Sequence, residues 1–224
     1  MIFSDYKVVI NLILLFIFIC VAIGNILGCG LHKIKWVHIT KPLLMPLLLI
    51  YYLLNAPQAE SYLIIALIFA FLGDVFLLWP HKKAFFTFGL VFFLAMQVLY
   101  LIFIITHQID FSKSNQLMIW AAILFMILAF IIYAKLFKHL RKMKIPLLVY
   151  TLVIIAVAYF CFLNFAATMN VVFALQFAGA VFFIISDTIL AFDSFKKPLH
   201  FANVWIMSTY ITAQLLLFIG FMNS

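Results

Sequence analysis

The feature that most constrains this chain is the length of its uncharged runs. Eight apolar segments follow one another between short polar links: Val8–Leu27, Lys41–Leu54, Ser61–Trp79, Phe85–Thr106, Gln116–Leu136, Ile145–Phe165, Val171–Phe192 and Phe201–Phe221. All but the second match the roughly 20 apolar residues that cross a hydrocarbon core. Of the 224 residues, 9% are charged and 69% are hydrophobic, against about 25% and about 45–50% in soluble domains. So little polar surface cannot cover a water-soluble globule. This excludes a soluble enzyme, a nucleic-acid-binding domain and a disordered tail. Backbone groups in lipid must be satisfied within the protein, and helices do this within each segment. The expectation is an all-α polytopic membrane protein with eight transmembrane helices, forming a single integral-membrane domain over residues 1–224.

The second segment begins at Lys41-Pro42, and proline suits the first turn of a helix; Pro46, one turn on, makes that start irregular. Basic residues set the orientation. Twelve of the 14 fall in alternate links: Lys33, Lys35 and Lys41; Lys82 and Lys83; Lys135, Lys138, Arg141, Lys142 and Lys144; Lys196 and Lys197. Lys7 and Lys113 lie on the other side. The positive-inside rule then puts both termini outside, which requires an even number of spans. The first segment, preceded by Asp5 and Lys7 and followed by no clean small-residue cleavage site, is expected to be retained. Gly73-Asp74 ahead of Lys82-Lys83 is echoed by Ser186-Asp187 ahead of Lys196-Lys197, and the two aspartates are 113 residues apart. A parallel four-plus-four helix repeat would produce this echo.

Among six acidic residues, Asp5, Glu60, Asp110 and Asp193 fall at segment ends or in links, where water solvates them. Asp74 and Asp187 fall inside the third and seventh segments. A charge at such a depth costs about 2.5 kcal/mol or more and faces a partner or a wet cavity. Asp74 precedes the expected helix end at Trp79 by five residues, roughly 8 Å; Asp187 precedes Asp193 by six, roughly 9 Å. The two carboxylates are therefore expected at one level near the cytoplasmic leaflet. Lys41 enters from the same side and either reaches that level or snorkels back to phosphate. Two carboxylates in different surroundings divide into a proton donor and a base. A buried Asp–Lys or Asp–backbone lock between helices is the purely structural alternative.

Gln97 and Tyr100 lie one turn apart in the fourth segment, as do Tyr210 and Gln214 in the eighth. They line a pocket or hydrogen-bond between helices. No segment holds a histidine: His32, His38, His81, His139 and His200 fall in the basic links and His107 opposite. A buried multi-histidine zinc site is not expected on that ground, and no G-x-S-x-G elbow is present. No metal and no cofactor is expected, although an Asp-bound cation stays open.

The chain resembles the YhhN family of integral-membrane lysoplasmalogenases. Carrying the resemblance are Lys41-Pro42-Leu43, Leu72-Gly73-Asp74-Val75, Phe88-Gly89-Leu90 continuing to Tyr100, Ser186-Asp187-Thr188-Ile189-Leu190-Ala191, and Met207-Ser208-Thr209-Tyr210 continuing to Ala213-Gln214. Gln97 departs from it, standing where relatives commonly carry histidine. The resemblance implies a hydrolase that cleaves the sn-1 vinyl ether of a lysoplasmalogen, giving a fatty aldehyde and glycerophosphocholine or glycerophosphoethanolamine. Asp74 and Asp187 would then be catalytic. Lys41, Gln97, Tyr100, Ser186, Tyr210 and Gln214 would bind the substrate. The implied partners are a lysophospholipid and the bilayer; the shortness of the chain leads to the expectation of a bacterial cytoplasmic membrane. Two other classes stay open, a lipid or small-molecule transporter and a non-catalytic lipid sensor.

Overall fold

The computed structural model describes residues 2–56, 58–109 and 116–224, with side chains from Val9 onward except Leu117. Asp110 and Lys113 lie outside the described residues, as do the side chains of Asp5 and Lys7. Eight α-helices run along the described chain: α1 Ile2–Gly30, α2 Ile34–Asn55, α3 Ser61–Phe76, α4 Lys83–His107, α5 Gln116–Phe137, α6 Lys144–Thr168, α7 Val171–Phe195 and α8 Ala202–Met222. Seven are long and apolar enough to cross a membrane, and α3 is a shorter apolar helix. Polarity is inverted relative to a soluble protein. Phe16, Trp120, Phe130 and Trp205 face outward, while Asn25, Asp74, Gln176 and Gln214 are buried. Such a surface is stable only against lipid, so the chain is a multi-pass integral membrane protein.

The helices gather into two compact units, Met1–Met96 and Gln97–Ser224, with the division inside α4. In the first unit, α1 and α2 form a hairpin. His32 at its turn takes a left-handed backbone (φ 53°). Two polar ties hold the hairpin: Asn25 Nδ2 donates to Thr40 Oγ1 at 2.9 Å, and Asn55 Nδ2 donates to Asn11 Oδ1 at 2.9 Å. Two expected boundaries are corrected here. Helix α2 does not begin at Lys41-Pro42; it begins at Ile34 and carries Pro42 and Pro46 in its interior. Each proline removes one backbone donor, and Ile34, Trp36 and Val37 ahead of them still extend the helix. Helix α3 stops at Phe76 rather than Trp79. Pro80 disfavours helical backbone at Trp79, and the last turn unwinds through Leu78 N–H to Val75 O at 3.2 Å and Trp79 N–H to Phe76 O at 3.4 Å.

The second unit is built on the α7–α8 pair, which approaches through glycines. A Cβ on Gly179 would lie 2.7 Å from the Leu217 backbone nitrogen, and one on Gly220 would lie 2.4 Å from Gln176 Cγ. Asn170 caps α7, its Oδ1 accepting Val172 N–H at 2.9 Å. At the other end, Leu136, Leu140, Leu147 and Ala191 form a buried cluster joining α5, α6 and α7.

Candidate functional site

In the first unit, heptad-like spacing aims two charged residues inward. Helix α2 buries Lys41, Leu44, Met45, Leu48 and Tyr52; α3 buries Leu63, Ala66, Leu67, Ala70, Gly73 and Asp74. Each set follows the 3- and 4-residue steps of a single helix face. Asp74 is fully buried. Lys41 Nζ stands 3.7 Å from Asp74 Oδ1, an ion pair too long for an ordinary charge-assisted hydrogen bond. Of the two courses open to Lys41, the side chain takes the inward one. Gly73, beside Asp74, leaves room for α4: an added Cβ would meet the Phe93 ring at 2.9 Å.

In the second unit, the phenol of Tyr150 on α6 donates to Asp187 Oδ2 on α7. Tyr150 sits on the buried face of α6 with Leu147, Thr151, Ile154, Ala158 and Cys161. Ser186 is also buried and donates to the Ile206 carbonyl of α8 at 3.1 Å. The Tyr100 hydroxyl donates to Gln214 Oε1 at 3.0 Å, joining two of the residues read from the sequence as lining a pocket. Tyr210 is buried with its ring edge-on to Phe183, centroids 5.9 Å apart. Gln97 is buried, and neither of its amide atoms has a hydrogen-bond partner among the described residues; the same holds for Gln176.

The structure thus joins Lys41 to Asp74 and Tyr100 to Gln214, and commits the Ser186 hydroxyl to a backbone carbonyl. The helix ends that set the expected depths move. Asp74 stands two residues before the end of α3, about 3 Å, and Asp187 eight before the end of α7, about 12 Å. The sequence reading missed Tyr150. It lies among aliphatic residues, where a tyrosine reads as packing. The available signal was its hydroxyl, which needs a partner when buried.

Comparison with known proteins gives one family. The YhhN family matches residues 36–221. Lysoplasmalogenase TMEM86A of Bos taurus is 28% identical over 77% of this chain and 70% of its own. Lysoplasmalogenase TMEM86B of Mus musculus is 28% identical over 87% of this chain and 83% of its own; that of Rattus norvegicus is 30% identical over 89% and 82%. No solved structure matches.

Proposed function

The chain belongs to the YhhN family, and from that membership we propose that it is a lysoplasmalogenase, hydrolysing the sn-1 vinyl ether of a lysoplasmalogen. The observation that carries the proposal is that each of the two intramembrane carboxylates has a dedicated partner side chain, Lys41 for Asp74 and Tyr150 for Asp187.

The chemistry asks for an acid, a base and a counter-charge. A proton adds to the β-carbon of the vinyl ether and leaves an oxocarbenium ion. Water attacks the α-carbon and loses a proton to a base. The hemiacetal then collapses to a fatty aldehyde and the glycerophospho-alcohol. Asp74 and Asp187 share the acid and base roles, and a carboxylate facing the oxocarbenium lowers the barrier electrostatically. Lys41 has three N–H donors, so it can hold the lipid phosphate while facing Asp74. Gln97, Tyr100, Ser186, Tyr210 and Gln214 complete the substrate contacts. We place eight spans in a bacterial cytoplasmic membrane with both termini outside and the reaction near the cytoplasmic leaflet.

The test is purified protein with lysoplasmalogen, assayed for free aldehyde. The wild type releases aldehyde; Asp74→Asn and Asp187→Asn insert into the membrane but release none. Wild-type turnover by either variant would defeat the proposal, and transport of the lipid without product would put a transporter in its place.

A further inference from the structure

Hydrolysis consumes a water molecule, and Asp187 stands part-buried on α7 inside an apolar bundle. Within the second unit, buried polar side chains descend towards it from the end of the bundle where α6 stops and α7 begins. Asn164 stands four residues in from the end of α6, about 6 Å; Gln176 five residues in from the start of α7, about 8 Å. Tyr100 and Gln214 follow at seven and eight residues from their helix ends, about 11 and 12 Å, and Gln97 at ten, about 15 Å. Asp187 itself is sixteen residues in from Val171, about 24 Å. The upper end meets solvent. Asn164 Nδ2 donates to Gln108 Oε1 at 3.2 Å, and Gln108 Nε2 donates to exposed Ser224 at 2.7 Å.

Two members of this series are held at a cost that no group among the described residues relieves. Gln97 and Gln176 each bury a complete amide, donor and acceptor, without a partner among the described residues. An unsatisfied buried group costs about 1–3 kcal/mol, and the surrounding lipid offers nothing in return. Gln176 is moreover seated against Gly220, where a Cβ would collide with its Cγ at 2.4 Å, so backbone space is given up to keep it there. A group that accepts and donates at once satisfies such an amide, and the smallest is water. Buried waters bond about three otherwise unsatisfied polar groups, at a density of roughly one per 27 residues.

We propose that the interior of α4, α6, α7 and α8 binds a file of water molecules, held by Gln176, Gln97 and the Tyr100–Gln214 pair, which leads from the Gln108–Asn164 end towards Asp187. In the proposed hydrolase, on which this last role rests, the file supplies the water that attacks the oxocarbenium ion. In that reading the lipid enters from the bilayer and meets the file at Gln97 and the Tyr100–Gln214 pair, which face both.

The test uses silver ion, which follows narrow water paths and reacts with thiols. The native Cys161 is the internal control: it is fully buried on α6 in the same unit. Gln176→Cys and Gln97→Cys, each made with Cys20 and Cys29 replaced by serine, react at least about 100-fold faster than Cys161. That is the advantage expected when no local opening of a few kcal/mol must come first. Reaction no faster than Cys161 in a folded variant overturns the file. Should the cysteine variants fail to fold, radiolytic hydroxyl-radical labelling of the wild type decides: Tyr100 is labelled if water stands beside it, and a fully protected Tyr100 overturns the proposal. Neither measurement depends on turnover. Reactive thiols without aldehyde release would reject the hydrolase and leave the file standing; aldehyde release with inert thiols would do the reverse.

Discussion

Replacing Lys41 or Asp74 separately and together measures what the ion pair of the first unit contributes. At 3.7 Å and an effective dielectric constant of about 20, the attraction is about 4 kcal/mol. Removing one partner of a buried pair typically costs about 3–5 kcal/mol, because the other charge is stranded. The two strandings are unequal here. Asp74 has 1% of its side chain exposed and Lys41 has 11%. Asp74→Asn leaves a lysine whose flexible stem can turn its ammonium towards the membrane surface. Lys41→Gln leaves a carboxylate that cannot move to water. The expected order of loss is therefore Lys41→Gln above Asp74→Asn. The double variant strands nothing and recovers most of the loss. For a chain of this size about 1 kcal/mol corresponds to about 2–4 °C, so a loss of about 3–5 kcal/mol in Lys41→Gln lowers the midpoint by about 6–20 °C. Thermal unfolding in detergent, followed by tryptophan emission, reads all four proteins, with a coupling of about 2–3 kcal/mol expected from the cycle. Additive losses, or a double variant below both singles, would refute the pairing as an energetic unit.

Tyr150→Phe removes the donor that fixes Asp187. Aldehyde release is expected to fall by about 10- to 100-fold from lost orientation, with only a few degrees of thermal shift by the same scale; equal turnover in the purified variant would separate Tyr150 from the site. Gly179→Ala drives a methyl group into the Leu217 backbone nitrogen at 2.7 Å and the Ala213 carbonyl at 2.9 Å. Neither can move without parting α7 from α8, so a loss of about 1–3 kcal/mol is expected, seen as reduced monodisperse yield. A reporter active only outside the membrane, fused after Ser224, should be active; an inactive one alongside a cytoplasmically active control would reverse the proposed orientation.

Composition and apolar runs made the helical membrane architecture legible, because lipid leaves the backbone few alternatives. Helix ends were less so. Pro42 marks a helix start by preference, yet α2 absorbs it more than two turns inside; the preference is weaker than the gain from a longer apolar helix. Asp74, Asp187 and Lys41 were visible as the charges that do not belong in hydrocarbon. Their partners were not equally visible. Lys41 is itself a charge and could be matched to Asp74 by depth. Tyr150 carries no charge, and its pairing depends on how α6 is rotated against α7, which a chain apolar on every side of its helices does not encode. The same limit hid Gln176, an unremarkable glutamine until its closeness to Gly220 and its unsatisfied amide are seen together.

The two carboxylates differ in what compensates them, and the proposed chemistry would use the difference. Asp74 is faced by an ammonium, so its negative charge is balanced by a full positive one within the same unit. Asp187 is faced by a phenol, which contributes a hydrogen bond and no net charge. Acid/base pairs in enzymes work because their members stand in unlike surroundings, and symmetric partners would have left two equivalent carboxylates. Equalising the compensations tests whether the inequality is used. Tyr150→Lys would give both carboxylates a cation. If unlike surroundings set the roles, this variant loses turnover to the level of a single Asp→Asn change even where thermal unfolding shows it folded. Retained turnover would mean that any two carboxylates at these positions suffice, and that the distinct partners serve folding alone.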